Sequence, residues 1–360
     1  MRIAHVTDVY LPRLGGVELQ VHDLASRQSA QGHEPLVLTT TAPSVFADDL
    51  PTLRITGLGA GPYRRFGADA LGAVLRQHGV EAVHAHVSAF SPLAWTAARS
   101  AATTGLPTVV SVHSMWHDIM PFVRRFARWQ DAASWPVQWA AVSSAAASAV
   151  RSALDGTPVA VLPNGIDPGA WLLPPAPTTS AVPTFISVMR MVRRKRPRAL
   201  LRTLLALRET HDFRAVLVGD GPLLPSLQRS APPEITFTGA LDRTAIRALL
   251  ASADVYIAPA PRESFGIAAL EARSAGLPVV ARAGSGVADF IRHDVEGWLV
   301  HSDAELLDVL GWMLDDPSRA AAVAAYNRAV APCVRWDTVL DRADELYARA
   351  AYFLGRRAHA

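Results

Sequence analysis

Short apolar runs of strand length alternate with longer segments of helical periodicity along almost the whole chain, and this alternation restricts the fold more than any other feature. "RIAHVT" (2–7), "EPLVLTT" (34–40), "EAVHAH" (81–86), "TVVSVH" (108–113) and "WAAVS" (139–143) read as buried strands. Between them, 17–31, 68–78 and 91–104 repeat apolar residues at three- and four-residue spacing, as one face of a helix does. Such alternation implies a parallel sheet covered on both faces. It stops at 168–183, "PGAWLLPPAPTTSAVP", where five prolines predict a linker, and restarts with "TFISVM", "RAVLVGD", "ITFTGA", "VYIAPA" and "LPVVAR". At 360 residues the chain exceeds what one core usually serves. The reading is an α/β protein of two doubly wound Rossmann-like domains facing a central cleft. In such sheets ligands bind beyond the carboxyl ends of the strands.

Composition narrows the class. Half of the residues are hydrophobic and 19% are charged, as in a folded, core-rich protein. A net charge of +3 gives no argument for nucleic acid, but it permits anionic substrates or an anionic membrane surface. Cys333 is the only cysteine, so an intrachain disulfide is excluded, which fits a reducing cytosol. No apolar run reaches the roughly 18 to 20 residues that span a bilayer, and the opening residues lack a signal-peptide core. A cytoplasmic protein, soluble or peripheral on the inner membrane face, is expected.

Chemistry should then sit on the loops that follow strands. Gly15 and Gly16 open a helix after the first strand, offering exposed amides, although G-x-G-x-x-G is absent and an ordinary glycine turn explains them equally. His113 ends the fourth of these strands. His84 and His86 share one face of theirs and form the beginning of a metal site at most; packed histidines explain them better. Six basic residues lie between Arg190 and Arg198, where the first strand of the second half ends. They read either as a solvated loop or as a clamp for a diphosphate. "GDGP" (219–222) is a further glycine turn. In "PRESFGIAALEARSAGLP" (261–278) the amides near Gly266 and Ile267 begin a helix and favour a phosphate. Glu271 lies about one and a half turns further, within reach of a ribose. Glu263 and Glu271 pairing with Arg262 or Arg273 is the plainer explanation, adequate for Glu263 and poor for Glu271.

The order and spacing of these stretches resemble glycosyltransferase family 4. "GGVE" (15–18), "HVSAFSPLA" (86–94), "VHS" (112–114), "VSS" (142–144), "PNGID" (163–167), "GDGP", "ESFGIAALEARSAGLPVVA" (263–281) and "EGWLV" (296–300) carry the likeness. It implies GT-B architecture. The N-terminal, acceptor-binding domain would be 1–167, the linker 168–183 and the nucleotide-sugar domain 184–333. A C-terminal helix, 334–360, would return to the first domain. It also implies a retaining hexosyltransferase that uses a nucleotide-diphospho-sugar, without a cofactor or essential metal, and a hydroxyl acceptor. By position, Arg190 and Lys195 would grip the donor phosphates, with Gly16 and Gly219 bordering the donor. Glu263 would stand near the transferred sugar. The amides of Phe265, Gly266 and Ile267 would bind diphosphate or sugar oxygens, Glu271 the ribose, and His113 the sugar, with Gly15 and Gly16 on the acceptor side.

Three departures from the pattern stand out. Met189 and Arg196-Pro197 replace common glycines, and Ser285 replaces another; Met189 is expected to narrow the site. "HSMWHDIMPFVRRFARWQDAASWPVQW" (113–139) interleaves arginines with Trp116, Phe122, Trp129, Trp135 and Trp139, which suits either an anionic membrane and a lipid acceptor or a set of core aromatics beside a basic face. A nucleotide-sugar isomerase of the same fold and a non-catalytic nucleotide-sugar binder are the alternatives. No nucleic acid and no specific protein partner is implied.

Overall fold

The computed structural model describes residues 1–13, 15–43, 48–55, 68–174 and 182–358. The middle of the expected linker, 175–181, lies outside them. The chain divides into two compact units: Met1–Gly165 with Trp336–Ala360, and Ile166–Arg335.

The first unit is built on β1 (Arg2–Thr7), β2 (Glu34–Thr39), β3 (Thr52–Arg54), β4 (Ala82–Val87), β5 (Thr108–Val112), β6 (Gln138–Ala141) and β7 (Ala160–Val161). All pair in parallel in the order β3-β2-β1-β4-β5-β6-β7. Two edge strands of this unit, β3 and β7, are missing from the sequence reading, because two or three residues cannot display an alternation. One face of the central strands is apolar: Ala4, Val6 and Val83 pack with Leu71, Leu75, Leu93 and Ala97. The opposite face carries His5, His84 and His86, all buried. The register sets His5 beside His84.

The second unit uses β8 (Thr184–Val188), β9 (Arg214–Val218), β10 (Ile235–Gly239), β11 (Val255–Ala258), β12 (Val279–Arg282) and β13 (Gly297–Val300), parallel in the order β10-β9-β8-β11-β12-β13. In both units the strand order reverses beside the first strand, at β1/β4 and at β8/β11. This is the switch point at which open α/β sheets bind ligands.

The β8/β11 seam opens early. Only Phe185–Val255 and Ile186–Tyr256 are paired there, against five pairs between β8 and β9. Above them the Ser187 hydroxyl donates to the Ile257 carbonyl (2.6 Å) and the Tyr256 phenol to that of Val188 (3.2 Å). Burial pushes the Tyr256 phenol up, so it remains a donor. The two loops that leave this seam carry most of the expected site.

Candidate active site

In the second unit the loop after β8 runs through Met189 and Arg190 into a short 3-10 turn, Arg193–Lys195. The half-buried Met189 side chain packs against the unit's core cluster, which includes Leu200 and Leu217. The expectation that it narrows the site is therefore corrected: its bulk goes inward. What the loop does require is glycine at 219, whose φ is +128° and whose Cβ would collide with the Met189 carbonyl oxygen. Gly219 thus lets the loops after β8 and β9 touch, and the Met189 amide bonds the Val218 carbonyl at 2.9 Å.

Arg196 explains a second departure. It adopts φ +61°, a conformation that costs a non-glycine residue about 1–2 kcal/mol. Its guanidinium forks onto Asp303 at 3.0 and 2.6 Å, and Arg282 reaches the same carboxylate at 2.8 Å. A side chain with that anchor replaces the conformational freedom of glycine. Asp303, 107 residues away, carried no signal in the sequence.

The loop after β11 brings Glu263 to Lys195, and the two form an ion pair with both side chains about four-fifths covered. Arg190, on the same loop as Lys195, is exposed. Phe265 is buried against Phe290, with ring centroids 5.2 Å apart, and fixes the loop below Gly266. Gly266 caps the helix Ile267–Ser274 at φ +94°, where a Cβ would also stand 2.6 Å from Val287. The first amides of that helix have no intrahelical acceptor, so an anion is favoured beside the Lys195 ammonium. The third departure is harmless. Ser285 sits at φ −98° and caps the turn Gly286–Asp289, whereas the position that demands glycine is 286, where a Cβ would strike the Ser264 carbonyl.

Glu271 is 8% exposed on this helix. Arg243 pairs with it, Nη2 lying 3.9 Å from Oε1, and the Arg243 guanidinium lies 5.7 Å from the centre of the Trp171 ring. Arg273, expected as a carboxylate partner for this stretch, is wholly buried and donates instead to the carbonyls of Asn327 and Val330, both at 2.9 Å. Neither Arg243 nor Trp171 stood out in the sequence, since both are distant from 271 along the chain.

The remaining expected residues belong to the first unit. Gly15 caps the helix Gly16–Ala30 in extended conformation, and Glu18 at its third position pairs with Arg13 at 3.0 Å. His113 follows β5 and bonds His86, its Nε2 3.0 Å from Nδ1. Burial lowers its pKa to about 4, so at neutral pH it is an uncharged imidazole. Asp8, at the end of β1, was visible only as an interruption of an apolar run. It accepts from the Leu93 and Ala94 amides at 2.9 and 3.1 Å, and burial raises its carboxyl to about 6.

The aromatic stretch divides cleanly. Trp116 and Trp139 are buried, and together with Trp95, Trp135 and Phe126 they form one ring cluster. Phe122 and Trp129, 77% and 76% exposed, stand on the outer side of the helix Met120–Trp129 with Arg125 and Arg128.

Comparisons with known proteins agree with this architecture. The family model described as Glycosyltransferase Family 4 matches residues 14–170, and that described as Glycosyl transferases group 1 matches 177–330. A GDP-mannose-dependent alpha-(1-6)-phosphatidylinositol monomannoside mannosyltransferase of Mycobacterium tuberculosis is 33% identical over 187 residues, 48% of this chain and 47% of that protein. The chain thus spans about half the length of this relative. A D-inositol 3-phosphate glycosyltransferase of Xylanimonas cellulosilytica is 27% identical over 93% of the chain and 92% of its own length. Among solved structures, HepE of Anabaena in complex with UDP and glucose superposes with a TM-score of 0.76 at 19% identity, covering 97% of this chain and 99% of that one. WaaG, a glycosyltransferase involved in lipopolysaccharide biosynthesis, gives 0.74 at 19% identity, with 96% and 99% covered. These two show the shared GT-B fold.

Proposed function

Because the chain belongs to glycosyltransferase family 4, we propose that it moves a hexosyl group from a nucleotide-diphospho-sugar to a hydroxyl acceptor, with retention of anomeric configuration. The observation that carries this reading is the Lys195–Glu263 pair at the β8/β11 switch point, beside the open amides of the helix Ile267–Ser274. A diphosphate there meets an ammonium, the Arg190 guanidinium and a helix N-terminus together. An ammonium has three donors, so Lys195 can hold a phosphate oxygen and Glu263 at once. Gly219 acts by positioning the Arg190 loop. Glu271 takes the ribose hydroxyls, since an ionised carboxylate accepts hydrogen bonds from both.

In the reaction the acceptor oxygen bonds to the anomeric carbon on the face from which the diphosphate departs. The electron pair of the breaking bond goes to the phosphate oxygen, and that oxygen takes the acceptor's proton. Charge grows on the diphosphate, where Lys195, Arg190 and the amides of Phe265, Gly266 and Ile267 lower the barrier. Fixed cations and amides supply this stabilisation without a metal or cofactor. Glu263 holds Lys195 and lies near the sugar. His113, Gly15 and Gly16 serve the sugar and acceptor side. GDP-mannose or a UDP-hexose is the donor, in line with the mannosyltransferase relative and the UDP-bound structural neighbour. A panel of GDP-, UDP- and ADP-sugars, with and without chelator, tests the donor by thermal shift. Donor hydrolysis without acceptor separates an enzyme from a non-catalytic binder.

The acceptor in this reading is lipid-linked. Phe122 and Trp129 beside Arg125 and Arg128 suit an anionic interface. No helix among the described residues is long and apolar enough to cross a membrane; the contact proposed is a peripheral one. Changing both Phe122 and Trp129 to Ser is expected to weaken sedimentation with anionic vesicles at low salt at least about tenfold, since burying each ring contributes about 1.5–3 kcal/mol. Equal binding by this variant, or no binding by the parent protein, would remove the lipid reading.

A further inference from the structure

Seven side chains inside the first unit form one continuous hydrogen-bonded chain, and the transfer chemistry above uses only its outermost member. It begins at His113, half-buried after β5, whose Nε2 lies 3.0 Å from Nδ1 of His86. Nε2 of His86 is 3.1 Å from Nδ1 of His5, and Nε2 of His5 is 2.8 Å from the Gln28 amide oxygen. The Gln28 amide nitrogen then donates to the Tyr347 phenol at 3.1 Å. That phenol is 2.8 Å from Nδ1 of His84, whose Nε2 is 2.7 Å from the Ser111 hydroxyl. Apart from His113, every member is at most 3% exposed.

With the Tyr347 hydroxyl proton spent within the chain, it has only two proton arrangements. A neutral imidazole has one donor and one acceptor, so fixing one ring fixes its neighbour. In one direction all four histidines carry their proton on Nε2; in the other, all four carry it on Nδ1. The Gln28 amide chooses between them, because its oxygen faces His5 and its nitrogen faces Tyr347. With that orientation His5 donates from Nε2, His86 donates to His5, and His113 donates to His86. Tyr347 donates to His84, and His84 donates to Ser111.

We propose that this chain holds His113 as the neutral Nε2–H tautomer, so that its Nδ1 presents a lone pair and accepts a hydrogen bond from a substrate hydroxyl. His86, His5, Gln28 and Tyr347 are positioning residues, two of them on the sheet, one on the helix Gly16–Ala30 and one on the helix Trp336–Ala358. Burial lowers the pKa of all four rings, which keeps each of them neutral and the chain intact at physiological pH. His5, His84 and His86 can also each turn one ring nitrogen toward a common point, the three atoms lying within 4.8 Å of one another as a metal ion would need. Every one of those nitrogens is already engaged in the chain, and no carboxylate takes part in it, so the hydrogen-bonded reading accounts for the cluster without an ion.

The functional half of this inference rests on His113 touching substrate, as read above; the tautomer half does not. Nitrogen-15 NMR of the histidine rings in the full-length, substrate-free protein at pH 7 separates the two. The expected result is four neutral rings, all Nε2–H, unchanged by an equivalent of zinc. An Nδ1–H or doubly protonated His113, or loss of these signals to zinc, would overturn the chain. Gln28→Met removes the amide and is expected to mix the tautomers of His5, His86 and His113. It should also lower kcat about ten- to a hundredfold with the donor KM unchanged, the usual scale for an outer partner. Gln28→Glu keeps an acceptor for His5 and should restore both. If Gln28→Met scrambles the tautomers while kcat holds, the chain stands and the role of His113 on the substrate falls. If it folds normally and the tautomers stay fixed, Gln28 does not set them and the proposal fails. Should Gln28→Met not fold, Tyr347→Phe, which removes the acceptor that orients the Gln28 amide, is read by the same two criteria.

Discussion

Replacement of Lys195 by alanine is expected to lower the rate of transfer by about two to three orders of magnitude, the cost of removing one preorganised donor from a developing anion. The effect belongs in kcat, because charge accumulates on the diphosphate only as the anomeric bond breaks. Glu263 loses its partner in the same step, yet its side chain keeps about a fifth of its surface in water. The loss of stability should therefore be small, and circular dichroism should be unaltered. Glu271→Ala should behave differently. A ribose contact is the same in the ground state and the transition state, so the donor KM should rise while kcat changes less. Release of nucleoside diphosphate, followed over a range of donor concentrations, distinguishes the two patterns. Unchanged kcat in the Lys195 variant would remove this residue from the chemistry.

The second large effect is on stability in acid. His5 is held at a pKa of about 4, His113 likewise, and His84 and His86 are also lowered, in each case with burial as the largest cause. The unfolded chain takes up protons at these rings near pH 6.5, whereas in the folded chain His5 and His113 take them up only near pH 4, and His84 and His86 only well below 6.5. Over that interval the unfolded state binds more protons, so stability is full above about pH 6.5 and falls as the pH drops. His5 alone accounts for about 3 kcal/mol across this window, at 1.36 kcal/mol per pKa unit. Asp8 acts in the opposite sense. Its folded pKa, about 6, lies above its ordinary value of 3.8, so it gains a proton earlier in the folded state and offsets one ring. Three net protons remain. Urea unfolding between pH 7.5 and 4.5 should show a midpoint that declines steadily below pH 6.5. A flat profile would mean that the histidines are not buried as neutral rings.

Much of the fold could be read from the sequence because the strands of a doubly wound sheet are buried on both faces. "RIAHVT" and "TFISVM" therefore stand out as continuous runs, and the observed β1 and β8 begin at Arg2 and Thr184 as those runs do. The strands β3, β7 and β13 escaped because they are only two to four residues long and lie at sheet edges. Loops after strands were the right place to search, since the Lys195–Glu263 pair joins the loops after β8 and β11. What escaped was every partner fixed by packing across the chain. The Asp303 anchor of Arg196, the Arg243 neighbour of Glu271 and the inward turn of Met189 all depend on contacts remote in sequence. The histidine chain is the clearest case. Alternation placed His84 and His86 on one face, but the register that adds His5 and the helices that bring Gln28 and Tyr347 exist only in the folded unit.

The central claim, that the second unit binds a nucleotide-diphospho-sugar through Lys195 and the start of the helix Ile267–Ser274, is tested most directly by thermal unfolding of the parent protein and Lys195→Ala against GDP-, UDP- and ADP-sugars. A donor at about a hundred times its dissociation constant adds roughly 2.7 kcal/mol to the native state. One class of donor should therefore raise the midpoint of the parent protein by several degrees, with or without chelator, and should raise that of the variant much less. No shift with any donor, or equal shifts in the two proteins, would contradict the account.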